Sequence, residues 1–341
     1  MKRLSFYIIL FLLSLNAFTQ NISALFEKSD SSVVIINVIE SKTTGIGNDN
    51  EKVSFGALGS GVLISKTGQI LTAAHVVNGA DEIEVIFKDG QKLKATVESL
   101  SRMADVAIIK TRGQINNPKP AKMGDSDKTK IGDKVMVIGS PMGLYHSLSV
   151  GYISRKELIN QKTSDFSTME FFQTDAAINT GNSGGPMFNM EGEVIGIVSS
   201  ILSRSGGFEG IGFAATINII KELLINKRNT WLGVDAFYMQ GVLAAAFNVP
   251  QGSGILVQNV TKNSPAYYMG IKGGNIHITI AGSNIVIGGD ILLEIDKHKL
   301  DSEENINKAI EYFNALKVGD KYTIKVLRRG EIVELKWSIS K

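Results

Sequence analysis

No cysteine occurs among the 341 residues. That absence excludes disulfides, thiolate zinc sites and a cysteine nucleophile together. Proline is scarce as well, with 6 copies against 35 glycines, which favours many tight turns between short strands over long helices. The four histidines, His75, His146, His277 and His298, are too scattered to suggest a metal cluster. Excess charge is also missing. The net charge is +3, and Lys2 and Arg3 supply two of those units, leaving +1 for the rest of the chain. Such a chain has no electrostatic footprint for nucleic acid. Nor is there a long hydrophobic run: Leu4 to Leu15 falls short of the ~20 residues a spanning helix needs.

What is present begins with that N-terminus. Met1-Lys2-Arg3, the apolar stretch and the small residues Ala17 and Thr19 form a secretory signal peptide over residues 1–20, cleaved near Thr19. The mature chain then has no stable membrane span, and without disulfides it must hold together by core packing alone. At 43% hydrophobic and 20% charged residues the composition is that of a globular protein, long enough for two domains.

From Ser31 to about Ala215 short apolar runs alternate with Gly, Asp and Asn. Val33 to Val38, Val106 to Lys110, Lys134 to Ile138 and Val194 to Ser199 read as strands. Glu82 to Phe87 alternates, turns at Asp89-Gly90 and resumes at Leu93, a hairpin pattern. Many short strands at this spacing indicate a mainly β protein built from sandwiches or closed barrels. Near Ile217 the period becomes helical and a polar stretch follows, giving a helical linker over 218–230 between one unit at 21–217 and another at 231–341. In the second unit a helix is expected from Ser302 to Leu316, with Asp301 and Glu304 as a capping box and Gly319 closing it.

Three motifs carry chemistry. Gly181-Asn182-Ser183-Gly184-Gly185-Pro186 sets a serine among glycines, where a tight turn exposes the hydroxyl and aims nearby N–H groups at one point. Thr72-Ala73-Ala74-His75-Val76-Val77 supplies a histidine among small residues at the end of an apolar strand. Asp105 stands just before the strand-like run Val106 to Ile109, where an acid needs a partner. Their order, His then Asp then Ser, is that of the chymotrypsin-type triad: Ser183 as nucleophile, His75 as general base and Asp105 orienting the imidazole.

TAAHVV, ADVAIIK, QTDAAINTGNSGGPMFN, GIGFAA and the later WLGV together resemble the HtrA/Deg family of envelope serine proteases, over roughly residues 30 to 341. The resemblance implies a chymotrypsin-like double β-barrel, at 21–217, followed by a PDZ domain, a β-sandwich with two helices, at 231–341. It implies an oxyanion hole from the N–H groups of Gly181 and Ser183, no metal or organic cofactor, periplasmic location, unfolded protein substrates and a homotrimer. By the same arrangement Ala177 stands at the base of the specificity pocket and Ile211, Gly212 and Phe213 line a wall. No acid lies there, so small aliphatic side chains are the expected preference. In the PDZ unit Leu232, Gly233 and Val234 would receive the carboxylate of a C-terminal peptide, which adds as a strand beside Val234 against the helix of Ile306 and Ile310. Peptide binding there is expected to regulate the active site through Ser199 to Glu209. Thr180 departs from the proline usual in the family, and Asn275 to Gly289 is extra sequence.

Two rivals compete. An α/β-hydrolase could use Ser183 as its nucleophile elbow with His277 or His298, but needs a helix directly after Ser183, for which Gly184-Gly185-Pro186 is poor material. A binding protein could retain the protease fold and present only the PDZ groove.

Overall fold

The computed structural model describes residues 21–44, 51–102, 104–140, 146–159, 169–201, 207–226, 231–280 and 283–339. The expected signal peptide at 1–20, the end of the linker at 227–230 and residues 202–206 of the Ser199 to Glu209 stretch lie outside them.

A short helix, α1 (Ile22–Asp30), leads into the first barrel, made of β1 (Val33–Thr44), β2 (Glu51–Leu63), β3 (Gln69–Thr72), β4 (Glu82–Ile86), β5 (Lys92–Ser101) and β6 (Val106–Thr111). One helical turn, α2 (Ala74–Val77), follows β3. The strands close in the order β1-β2-β3-β6-β5-β4. The β4–β5 hairpin turns at Asp89-Gly90 as its pattern predicts. The second barrel comprises β8 (Lys134–Gly139), β9 (Ser147–Ile159), β10 (Met169–Thr174), β11 (Pro186–Phe188), β12 (Glu193–Ile201) and β13 (Gly212–Thr216), with the short β7 (Lys122–Met123) alongside β12. It closes through pairing of β11 with β12.

Continuous apolar runs form these strands because both of their faces are buried. On β6, Ala107 and Ile109 fill the first barrel, while Val106 and Ile108 point into a layer shared by the two barrels. On β8, Val135 and Val137 fill the second barrel, while Met136 and Ile138 enter the same shared layer. Each such side chain contributes roughly 1.5–3 kcal/mol on burial, so this layer joins the barrels without any disulfide. Residues 217–226 form a helix, α3, whose Ile217, Ile220 and Leu224 complete the shared layer. The segment expected as a linker is thus packed on the protease body as far as it is described. No helix follows Ser183; strand β11 does, which removes the α/β-hydrolase reading.

The second unit has a sheet in the order β14 (Val234–Gln240), β15 (Ser253–Val260), β18 (Ile291–Ile295), β20 (Lys321–Arg328), β21 (Glu331–Ser338), with β19 (His298–Lys299) beside β18. Among the described residues three helices accompany it, where two were expected: α4 (Gly241–Ala246), α5 (Pro265–Met269) and α6 (Glu303–Ala315). Ala309 and Phe313 of α6 pack on Tyr322, Ile324 and Val326. The cap of α6 differs from the expected box. Ser302, not Asp301, accepts from the Asn305 N–H, and Leu316, not Gly319, ends the helix. Asp301 instead accepts from the Asn305 side chain. The extra sequence forms its own two-stranded ribbon, β16 (Ile276–Ile280) with β17 (Ser283–Ile287), leaving the main sheet intact.

Candidate active site

The site lies where the two barrels meet. α2 has no side-chain cap at Ala73, so its first N–H groups need an outside acceptor. Asp105 supplies it: Oδ1 accepts from the His75 backbone N–H at 3.0 Å, while Oδ2 lies 2.8 Å from His75 Nδ1. Both bonds come from one carboxylate, so the residue that fixes the backbone of the turn also fixes the ring. Asp105 adopts φ 51, a left-handed conformation that Asp tolerates better than most residues and that carries strain of order 1–3 kcal/mol. Ser199 on β12 donates to Asp105 Oδ2 at 2.6 Å.

Burial raises the Asp105 pKa, but the bonds from His75 and Ser199 outweigh it and hold the carboxyl below its ordinary value. The hydrogen bond that the His75 ring donates to Asp105 raises the His75 pKa, and burial only partly offsets this. The pair therefore favours carboxylate with imidazolium, and its hydrogen bonds fix which ring nitrogen faces outward.

The Ser183 loop is wedged against the same elements. Ser60 N–H on β2 donates to the Ser183 carbonyl at 2.9 Å, and Gly184 N–H donates to Val198 O at 2.8 Å. Gly184 has φ 81, and a Cβ there would stand 2.2 Å from Thr72 Oγ1 and 2.3 Å from Ser60 O. Only glycine allows the loop so close to the strand that runs into His75. A Cβ on Gly59 would meet the Val76 side chain and the Ser183 carbonyl, so these two motifs face each other across Gly59. In each motif the chemical residue is the accessible one: His75 is exposed between buried Ala74 and Val76, and Ser183 is half-buried between buried Asn182 and Gly184. Gly181, at φ 106, and Ser183 donate no N–H hydrogen bond among the described residues.

The residues expected around the pocket divide. Gly212 on β13 is buried, with half-buried Ile211 and Phe213 on either side. Ala177 is exposed, whereas its neighbour Ile178 is buried, with Cδ1 2.4 Å from where a Gly212 Cβ would stand. Sequence reasoning passed over Ile178, Ser199 and Ser60, none of which lies in a motif that singles it out. Among the described residues no group of His, Asp and Glu could hold a metal ion.

In the second unit, Gly233 has φ 86 and would meet Ser264 at 2.1 Å with a Cβ, while Leu232 O accepts from Ala266 N and Gly233 O from Thr261 N. This loop enters β14, the end strand of its sheet. Leu232, Val234 and Ile306 pack on the same core, and Ile310 is exposed. Trp231 packs against the first barrel.

Residues 59–197 match the trypsin-like peptidase domain family and residues 232–339 the PDZ domain family. Fold and site thus define a trypsin-like peptidase domain followed by a PDZ domain. The "probable periplasmic serine endoprotease DegP-like" of Halomonas elongata is 38% identical over 291 residues, covering 84% of this chain and 56% of the relative. A protein of the same name from Pseudomonas savastanoi pv. phaseolicola is 38% identical over 257 residues, covering 74% and 53%. The chain spans about half the length of the curated relatives it matches. Among solved structures, the HtrA-type protease AlgW with a tripeptide is 30% identical at a TM-score of 0.51, covering 93% of this chain and 96% of that one. A variant of AlgW with a decapeptide is 28% identical at a TM-score of 0.56, with coverage of 93% and 96%. The chain belongs to the HtrA/Deg family of serine proteases.

Proposed function

We propose that this protein is a periplasmic serine endopeptidase that cleaves unfolded polypeptide through an acyl-enzyme, under control of its PDZ domain. The observation that carries the reading is the hydrogen-bonded chain from Ser199 through Asp105 to His75, set beside Ser183, the one residue of the Gly181 to Pro186 motif that is not buried. Ser183 Oγ attacks the scissile carbonyl as His75 takes its proton. The oxyanion that forms is held by the N–H groups of Gly181 and Ser183, each worth roughly 10²–10³ in rate. His75 then protonates the leaving amine, and water repeats the sequence on the ester, with Asp105 holding the tautomer and stabilising the imidazolium. The apolar walls at Ile178, Ile211, Gly212 and Phe213 suit a small aliphatic side chain.

Peptide binding at the PDZ domain is supported by the pinned Leu232-Gly233-Val234 loop beside an end strand, a geometry that suits β-augmentation and carboxylate capture. Control of the active site is supported by the ion pair between Arg102 and Asp235 of β14. Assembly as a homotrimer is supported by an apolar stripe, Leu148, Val150 and Tyr152, exposed on one face of β9. Relatives are named periplasmic, and no described helix is long and apolar enough to cross a membrane.

Unfolded casein incubated with the protein and with Ser183→Ala tests the reading, with and without C-terminal peptides. Cleavage by the parent chain alone is expected. If neither protein cleaves under any of these conditions, the binding-protein reading takes its place.

A further inference from the structure

Ser60 is fully buried on β2 and is not among the residues of the proposed triad. Its hydroxyl makes two hydrogen bonds. The Ser140 N–H, which can only donate, reaches Ser60 Oγ at 3.0 Å, so the single hydroxyl proton goes to the other neighbour, the Gly181 carbonyl, at 2.7 Å. The backbone of the same residue holds the Ser183 carbonyl through its N–H, and its own carbonyl accepts from Thr72 Oγ1 at 2.7 Å. One residue therefore fixes the carbonyls of both residues whose N–H groups are the proposed oxyanion donors. Glycine at 181 has the widest backbone freedom of any residue, and its φ of 106 is one that ordinary side chains avoid. Without a bond on its carbonyl, nothing in its side chain would hold that orientation. The neighbouring strand end adds to the constraint, since a Cβ on Gly139 would stand 2.6 Å from Asn182 Oδ1 and 3.0 Å from Asn182 Cα.

We propose that Ser60 is a positioning residue for the oxyanion hole: its hydroxyl holds the Gly181–Asn182 peptide, which lies between the two peptides that carry the Gly181 and Ser183 N–H groups, and so keeps both donors in the orientation that receives the tetrahedral intermediate. The proposal rests on the assignment of Ser183 as nucleophile. A hydroxyl in this role acts on the transition state and leaves ground-state peptide binding alone, because Ser60 and Ser140 are both buried away from the surface that a substrate could reach.

The test measures kcat and KM on a peptide ester for the full chain and for Ser60→Ala, Ser60→Cys and Ser60→Thr. Affinity for a peptide boronate, which forms a tetrahedral adduct, is measured beside that for the corresponding product peptide. The expected result for Ser60→Ala and Ser60→Cys is a fall in kcat of about 10- to 100-fold with KM within about twofold. Boronate affinity should fall in parallel while product-peptide affinity holds, and Ser60→Thr, which keeps the hydroxyl, should recover most of kcat. If Ser60→Ala does not fold, the comparison of Cys, similar in size but a weak donor, with Thr decides. Unchanged kcat and boronate affinity in a folded Ala or Cys variant overturn the proposal, as does an equal loss of boronate and product-peptide binding. Ser183→Ala separates the two failures: if it still cleaves the ester, the nucleophile assignment is wrong; if it is inert, only the role of Ser60 has failed.

Discussion

Arg102, in the turn that carries Asp105, is ion-paired to Asp235 on the first strand of the PDZ domain, and also donates to Asn78 Oδ1 at 3.2 Å beyond α2. One guanidinium thus ties the PDZ strand to the two segments that set His75. Both partners are well exposed, so the pair adds little to stability, of the order of 0.2–1 kcal/mol for such pairs.

Its expected role is coupling. Arg102→Ala and Asp235→Ala should each leave the melting temperature within a few degrees of the parent while reducing stimulation of casein cleavage by C-terminal peptides about fivefold. Equal stimulation in parent and variants would contradict this, and a double variant no worse than either single one would support it.

The raised pKa of His75 sets the acid limb of activity. Because the general base must be neutral, kcat/KM should rise with pH through a midpoint above the ordinary histidine value of about 6.5. Asp105→Asn should move that midpoint down and lower kcat by about 10⁴, the cost of losing the tautomer. The same pair affects stability with a definite sign. His75, raised in the fold, contributes below its unfolded pKa and loses the contribution as pH rises through the folded one. Asp105, lowered, contributes above its own unfolded value. His75→Ala should therefore lower the melting temperature more at pH 5.5 than at pH 8.5.

Much of this site was legible in the chain because it is written in local motifs. Ser183 and His75 each sit in a run of glycines or small residues whose purpose is close approach, and the structure shows those approaches at Gly184 and Gly59. Asp105 was legible only through its place before an apolar strand. Ser199 and Ser60 were not, since each is an ordinary strand serine until barrel closure carries it to Asp105 or Gly181. Ile178 carries no motif of its own, and only the fold shows that it is buried against Gly212 while its neighbour Ala177 is exposed. The helix cap moved from Asp301 to Ser302 for a similar reason, because adjacent polar residues compete for one N–H. The ribbon at 276–287 alternates like any strand, and nothing in its pattern told whether it joined the main sheet.

The expected pocket can be probed at Ile178. Ile178→Ala removes the side chain that abuts Gly212, so the ratio of kcat/KM for a phenylalanine substrate over a valine substrate should rise about tenfold or more, from the ~1–3 kcal/mol that a methylene contributes. An unchanged ratio would place the pocket elsewhere.

Away from the site, Asp30 at the end of α1 is 2% exposed, with Lys88 Nζ of the first barrel at 2.6 Å and His146 Nδ1 of the second at 2.5 Å. Burial raises its pKa, but the bonds from His146 and Lys88 prevail and hold it below the ordinary carboxylate value. Its contribution is thus present above about pH 4 and lost as pH falls through the lower folded value. Asp30→Asn should lower the melting temperature at pH 7, and the gap from the parent should narrow below pH 4. A gap that widened with acid would show the charge to be destabilising.

Ser183 is expected to react as an activated nucleophile. Titration with a serine-directed peptidyl phosphonate, read by intact mass and peptide mapping, should give one covalent adduct per chain on Ser183 and abolish casein cleavage in proportion. His75→Ala should react far more slowly and Ser183→Ala not at all. Labelling at another residue, or casein cleavage that persists in Ser183→Ala, would contradict the account.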